Sequence, residues 1–348
     1  MDSQPMEIPR TTPLIAVVIL NWNGAHLLRE YLPQVVATTD SRISRIIVAD
    51  NGSTDDSLNY VRQTFPERVE VMALGSNYGF AEGYNRAIAA LDNSYRYAVL
   101  LNSDAATSKG WDSTMLKYME EHPEVGACQP KILSYRQPDT FEYAGAAGGY
   151  IDRNGYPYCR GRIFATCEKD RGQYDNEAYI FWASGACLMI RRELYTEAGG
   201  LDPTFFAHME EIDLCWRLQL AGYLCAAVPG AKVYHLGGGS LPAENPRKTY
   251  LNFRNNLLML HKNLPKDARR GILLRRRLLD TVAWARYILT LDFANAVAIW
   301  RAHRDFAAMR KNYDTNPARN LLGSAPGSDI DILSSYYLRR KHTFDTLD

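Results

Sequence analysis

The sequence predicts an α/β fold: a Rossmann-like sheet, mainly parallel and flanked by helices, with a helical C-terminal extension. Two observations carry the sheet. Apolar, β-prone runs at residues 14–20, 46–49 and 97–101 each stop at polar residues, namely Asn21, Asp50 and the triplet Asn102-Ser103-Asp104. Segments with helical apolar spacing separate the runs, and strands that alternate with helices imply crossover connections and parallel pairing. Ligands of open α/β sheets bind outside the carboxyl ends of the strands, where these polar residues fall. One Asp after a strand reads most simply as a helix N-cap. Three such termini on one sheet edge read as a ligand site.

The elements follow in order. Residues 14–20 form a strand, and 24–37 a helix with Leu27, Leu28, Tyr31, Leu32 and Val35 at helical spacing. Residues 45–49 form the next strand. Asp55 or Asp56 caps a helix carrying Leu58, Val61 and Phe65. A third strand spans 69–74, a helix 80–91 and a fourth strand 97–101. Residues 111–121 read as a helix and 126–133 as a strand. The stretch 135–179 is rich in Gly, Tyr and Arg, with turn signals such as Asn154-Gly155-Tyr156-Pro157, and reads as hairpins and loops that shape a pocket. A strand at 186–190, a helix at 210–221 and short strands at 223–228 and 232–234 follow. Residues 250–261 and 273–300 read as two helices.

Composition excludes several classes. The chain has 348 residues, 40 basic and 39 acidic, for a net charge of +1. No global field points to nucleic acid. The six cysteines show no Cys-x-x-Cys spacing and sit largely in apolar runs, so buried free thiols in a reducing cytosol are expected. Residues 1–10 lack an apolar core and are not expected to act as a secretory signal. No Gly-x-Gly-x-x-Gly follows the first strand, and no P-loop pattern is present.

Three places carry chemistry. Asp50, at a strand end, is suited to accept hydrogen bonds from a base or ribose. Asp104 is a hard oxygen ligand suited to Mg²⁺ or Mn²⁺ on a nucleotide diphosphate. The run Phe205-Phe206-Ala207-His208-Met209-Glu210-Glu211-Ile212-Asp213 packs three carboxylates into four positions. On a helix, Glu210 and Asp213 share a face and Glu211 points elsewhere. The preceding aromatics are expected to exclude water and raise a carboxylate toward the pKa of a useful base. The plainer explanation is an acidic first turn favoured by the helix dipole. His235 ends a strand beside the run Gly237-Gly238-Gly239-Ser240, which is expected to order when ligand binds. A lone His is more often an ordinary hydrogen-bonded residue than a metal or phosphate ligand.

At these residues the chain resembles inverting GT-A glycosyltransferases of family 2, in their rhamnosyltransferase-like branch. The matching pieces are Val18–Gly24 (VILNWNG), Val48–Asp55 (VADNGSTD), Asn77–Asn85 (NYGFAEGYN) and Leu100–Asp104 (LLNSD). They continue with Ala183–Ala186 (ASGA), Gly199–Asp202 (GGLD), Glu210–Leu214 (EEIDL) and His235, in matching order over about residues 12–260. Each piece is weak alone, and the ordered set is specific.

The resemblance implies a catalytic domain over 12–245, with a nucleotide-binding half (12–105) and an acceptor half (106–245), and a helical region over 246–348. It implies that Asn21, Asp50, Asn77, Gly79, Gly83, Asn85 and Ser103 line the nucleotide. Asp104 and His235 would hold the metal. Glu211 stands where the family has its base, with Glu210 and Asp213 as alternatives, and Trp182, Ser184 and Asp202 would shape the acceptor side. Two departures stand out: Asn102 replaces the first Asp of the metal motif, and Glu211 replaces the usual Asp. A misplacement near 1 Å can cost about 10²-fold, so the extra methylene of Glu211 matters. The implied reaction moves a sugar, with dTDP-rhamnose as the favoured donor, to a glycan or polyprenyl-linked acceptor with inversion, in surface polysaccharide synthesis. A sugar nucleotidyltransferase and a catalytically degenerate binding module remain as alternatives.

Beyond the resemblance, residues 262–286 hold eight Lys or Arg against Asp267 and Asp280, a local net of +6. Interleaved apolar residues make this either a basic surface for anionic lipid, placing the protein at the inner face of the cytoplasmic membrane, or a solvated helical face. Arg286 and Asp292 interrupt the longest apolar stretch, so no membrane span is expected.

Overall fold

The computed structural model describes residues 13–237 and 245–347. The expectations for residues 1–10 and for Gly238, Gly239 and Ser240 lie outside the described residues.

The first half forms as its periodicity dictates. Strand β1 (Ile15–Asn21), helix α1 (Ala25–Thr38), β2 (Ser44–Asp50), α2 (Ser57–Thr64), β3 (Val69–Ala73), α3 (Phe80–Ala89) and β4 (Tyr97–Leu101) alternate without interruption. Strands β1, β2 and β4 are apolar on both faces because helices cover both sides of a parallel sheet. Two apolar clusters result, one holding Val18, Ile47 and Leu100, the other Val17, Ile46 and Val99. The pairs β1–β2, β1–β4 and β2–β3 are all parallel, with Asn21 opposite Asp50.

The second half weaves into the same sheet. Short β5 (Ala105–Thr107) precedes α4 (Trp111–Glu121) and β6 (Val125–Ser134). A separate four-stranded antiparallel sheet follows, of β7 (Gly149–Ile151), β8 (Pro157–Cys159), β9 (Arg162–Ile163) and β10 (Thr166–Cys167). Then come β11 (Ala178–Ile180), β12 (Cys187–Arg191), α5 (Arg192–Glu197), α6 (Glu210–Leu220) and β13 (Leu224–His235). The nine-stranded sheet runs β11-β13-β6-β12-β4-β1-β2-β3, with β5 on β13. Strand β12 lies antiparallel between β4 and β6, so the sheet is parallel on one side and mixed on the other. The two short strands expected at 223–234 are one strand with a register shift between Val228 and Lys232. Pro229 lies in that shift, where the missing N–H is tolerated.

The C-terminal region is helical: α7 (Pro246–Asn263), α8 (Lys266–Leu289) and α9 (Phe293–Met309). The single helix expected over 273–300 is broken. Leu291 takes φ +60°, and Asp292 caps α9 by accepting from the Asn295 N–H at 3.1 Å. Helix α7 is stitched to the sheet half: Asn256 Nδ2 donates to Gly155 O at 2.7 Å, and Asn263 Nδ2 to Asp213 Oδ1 at 2.7 Å.

Gly83 is a packing position. A Cβ there would lie 2.9 Å from Leu20 Cδ1 and 3.1 Å from Asn51 Nδ2, so its absence lets α3 rest on β1. Gly83→Ala is expected to lower unfolding free energy by about 1–3 kcal/mol through overpacking. Urea denaturation checks this, and unchanged stability would show that α3 can shift freely.

Candidate functional site

Strands β2, β1 and β4 are neighbours, so their ends deliver Asp50, Asn21 and Asp104 to one sheet edge. Asn21 Nδ2 reaches Asp50 Oδ1 (3.2 Å), Ser53 Oγ (3.1 Å) and Ser57 Oγ (3.0 Å). Asp50 Oδ2 accepts from the Ser53 N–H at 3.0 Å. Both side chains are buried and held rigid. Asn51, which sequence reasoning assigned no role, organises the next loop. Its Nδ2 donates to Gly79 O and Asn77 Oδ1, and its Oδ1 accepts from the Tyr78 N–H. Asn51 thus ties Asn77 and Gly79 to the end of β2, next to Asp50. Ser103 sits half-buried in the turn before Asp104.

Asp104 and His235 meet through sheet register. Strands β5 and β13 pair antiparallel with His235 opposite Ala105, and the Leu236 N–H donates to Asp104 O at 3.0 Å. His235 Nε2 lies 3.0 Å from Asp104 Oδ1 and 3.2 Å from Asn102 Nδ2. On its other side Nδ1 is 3.4 Å from Glu142 Oε2, an ion-pair distance without hydrogen-bond geometry. Glu142 was not legible as a partner, since it lies in a stretch read only as loop. Gly237 makes room for it: at φ +68°, a Cβ there would fall 2.4 Å from Glu142 Oε1.

Burial pulls the His235 pKa down, but the contact with Asp104 and the negative charges of Asp104 and Glu142 outweigh it and push it up to about 10. Burial pushes Asp104 up, and the His235 hydrogen bond and charge outweigh it, leaving the carboxyl below its usual range. Two buried carboxylates around one imidazole leave an excess of negative charge that a cation would offset. Asp104 Oδ1 and His235 Nε2 have the separation of adjacent ligands on an octahedral ion with bonds of about 2.1 Å. The donor set therefore fits a divalent cation. Among the described residues no cluster of three or more His, Cys, Asp or Glu has metal-binding geometry, so phosphate or water oxygens would complete the shell.

The acidic run opens α6. Phe206, His208 and Met209 all have positive φ (+65°, +68°, +76°), a strained approach typical of functional sites. Helix α7 holds it: Asn255 Nδ2 contacts the carbonyls of Phe205, Ala207 and His208 at 2.8–2.9 Å, and Arg254 Nη2 those of Thr204 and Phe205 at 3.1 Å. The three acids then separate. Glu211 borders a cavity of about 1150 Å³, and its buried Oε2 has no hydrogen-bond partner. Burial raises it to about 7, against the pull of backbone N–H groups. Glu210 is 4 % exposed, lies outside the cavity lining, and is pushed well above its usual range by burial and by the charge of Glu211.

Asp213 is fully buried and bound by Arg217 Nε (2.8 Å), Lys262 Nζ (2.9 Å) and Asn263. The same Lys262 reaches Asp202 Oδ2 at 2.8 Å, which also accepts from Tyr313 OH at 2.9 Å. Asp213 and Asp202 are thus tied to the C-terminal region and do not line the cavity, against the expectation of a base and an acceptor-side residue. Asn85 is likewise spent on structure, holding both backbone groups of Leu201 and the Tyr195 hydroxyl. Trp182 does line the cavity, with its indole N–H on Tyr150 O at 2.8 Å. Ser184 is buried beside it, accepting from the Ala186 N–H and donating to Ala144 O.

The cavity also holds residues that the sequence did not single out: Arg162, Lys248 and His208, and from α8 Leu279, Val282, Arg286 and Tyr287. Burial and the Lys248 charge depress His208 to about 4, so it is neutral at pH 7. The two halves of the site touch. A Cβ on Gly79 would lie 3.5 Å from the Phe206 ring, and one on Gly185 would lie 3.6 Å from Phe80 and 3.9 Å from Glu211 Cβ.

Comparison with known proteins adds three findings. A family model described as glycosyl transferase family 2 matches residues 16–199, more than half of the chain. The N-acetylglucosaminyl-diphospho-decaprenol L-rhamnosyltransferase of Mycobacterium tuberculosis is 29% identical over 240 residues, covering 64% of this chain and 76% of that protein. Among solved structures, S. aureus TarS 1-349 in complex with UDP-GlcNAc superposes with a TM-score of 0.56 at 14% identity, covering 84% of this chain and 80% of that one. Mannosyltransferase PcManGT from Pyrobaculum calidifontis, in complex with GDP-Man and Mn²⁺, gives 0.50 at 17%, covering 97% and 86%.

Asp213→Ala is expected to cost about 3–5 kcal/mol of stability, because Lys262 and Arg217 lose a buried counter-ion. Denaturant unfolding measures the loss. A variant as stable as wild type would show that the carboxylate is not structural.

Proposed function

Because the chain belongs to glycosyl transferase family 2, a family of GT-A sugar transferases that use nucleotide sugars, we propose that it transfers a sugar to an acceptor hydroxyl with inversion. Glu211 acts as the base. The observation that carries the proposal is its carboxylate: unpartnered at its buried Oε2, set in the wall of a large cavity, and raised to about 7.

The sheet edge at Asn21 and Asp50, with the loop of Asn77 and Gly79, holds the nucleoside, with Asp50 accepting from base or ribose. Asp104 and His235 would hold Mg²⁺ or Mn²⁺, and that ion would supply positive charge against the diphosphate leaving group. His235 must shed the proton it shares with Asp104 to serve as a ligand, since only neutral imidazole ligates. Glu211 takes the proton from the acceptor hydroxyl, whose oxygen forms the new bond to the anomeric carbon as the diphosphate oxygen leaves. One displacement inverts the anomeric centre and needs no covalent sugar on the enzyme. Glu210 is pushed well above the usual carboxylate range by burial and by the charge of Glu211, and it lies outside the cavity lining, which leaves Glu211 as the acid that meets the acceptor. The likeness to a rhamnosyltransferase with a diphospho-decaprenol acceptor supports dTDP-rhamnose as donor and a lipid-linked glycan as acceptor, in surface polysaccharide synthesis.

Two tests follow from this chemistry. A panel of sugar nucleotides, assayed with and without Mg²⁺ or Mn²⁺, should show metal-dependent turnover of one donor, reduced at least about 10²-fold in Asp104→Ala. Turnover indifferent to both metal and Asp104 would remove the metal assignment, and pyrophosphate release would favour a nucleotidyltransferase. For the base, kcat should climb as pH rises through about 7, because Glu211 works only when ionised, and level off above. Glu211→Gln should lose about 10²- to 10⁴-fold and its pH dependence. If Glu211→Gln keeps the wild-type profile, another group is the base.

A further inference from the structure

Helix α8 stands between two concavities. At about 100° per residue, Arg270, Leu274, Arg277, Thr281 and Trp284 fall along one side of it. They line a groove of about 860 Å³ against α9, which also takes Trp300, Arg304 and Arg310. On the opposite side, Leu279, Ala283, Arg286 and Tyr287 line the Glu211 cavity. The ridge between the two is solvent-facing and apolar: Leu278 is 63 %, Val282 69 % and Leu289 83 % exposed. The ridge runs onto the α8–α9 turn, where Leu291 is 75 % exposed and Phe293 also faces solvent. Val282 belongs to both the ridge and the cavity wall.

Charge marks the same surface. Residues 266–309 carry nine Lys or Arg against four Asp, a net of +5 in a chain whose total is +1. Seven of the nine are exposed, and of the four Asp only Asp267 is. Apolar side chains in a continuous ridge, two Trp at its flank and arginines beside them form the composition of an interfacial helix. Among the described residues no helix is long and apolar enough to cross a membrane. A surface lying in the headgroup plane is the arrangement that satisfies both the ridge and the charge.

We propose that the α8–α9 hairpin docks on an anionic lipid bilayer along the Leu278–Val282–Leu289 ridge. The groove of Arg270, Arg277, Arg304 and the two Trp takes lipid headgroups. The Glu211 cavity then opens toward the bilayer on the other side of the ridge. Entry of a lipid-linked acceptor from the membrane through this opening rests on the sugar-transfer reading. The docking does not, and vesicle binding reads it without any turnover.

The experiment is flotation of the full chain with phosphatidylglycerol-containing vesicles and with phosphatidylcholine vesicles, at low and high salt. The wild type is expected to float with the anionic vesicles, less so in high salt. The pair Leu278→Glu with Leu289→Glu removes the ridge, and the pair Arg270→Glu with Arg277→Glu reverses the groove. Each should weaken binding at least about tenfold. All four side chains are exposed, and circular dichroism checks that the variants fold. The proposal is overturned if the wild type does not float with anionic vesicles, or if both variants float as well as wild type. It is also overturned if light scattering finds a dimer that both variants dissociate, since the ridge would then be a self-interface.

Discussion

The register of β13 against β5 is the constraint on which the site depends. It places His235 opposite Ala105 and hence beside Asp104. A slip of one residue would turn His235 to the other face of the sheet. The slip is blocked from two sides, because β13 also pairs with β6 along most of its length and with β11 at its start. Strand β5 is too short to fix itself. Its position comes from β13 and from the Ser108 N–H bonded to Lys232 O at 3.0 Å. The cost of gathering Asp104, His235 and Glu142 in a dry place is thus met by sheet hydrogen bonds made elsewhere.

A second device supports Glu211. Residues 206–209 would not hold three positive φ angles on their own. Carbonyls of the loop ahead of α6, at Phe205, Ala207 and His208, are taken up by Asn255 and Arg254 from α7. The Asp213–Lys262–Asp202 cluster locks the first turn of α6 to the same helix. Glu211 is left as the acid of the run that faces open volume, and its neighbours spend their charge on structure.

The parallel half of the fold was legible because strands buried on both faces read as unbroken apolar runs ending in polar residues. Its polar ends also marked Asn21, Asp50 and Asp104 correctly as residues of one sheet edge. The insertion of β12 between β4 and β6 was not legible, since antiparallel pairing across about 60 to 90 residues leaves no local trace. The break after Leu289 was hidden because apolar residues continue through it, and its marks are the positive φ of Leu291 and the Asp292 cap that starts the next helix. Helical spacing separated Glu211 from Glu210 and Asp213, but not which face looked into a cavity. That depends on α7 and α8, distant in the chain. Glu142 and Asn51 were missed for the same reason: their partners are set by topology, not by spacing.

The α7 clamp has a consequence for how this molecule can be divided. A boundary near residue 245 looks natural in the sequence, because the matched motifs end shortly before it. Yet the residues that shape the approach to Glu211 lie at 254, 255, 262 and 263. Recombination that exchanged C-terminal regions between related chains at such a boundary would pass on the carboxylate without the helix that aims it. The heritable unit of this site therefore runs through the end of α7, and the cavity wall that α8 contributes would travel separately.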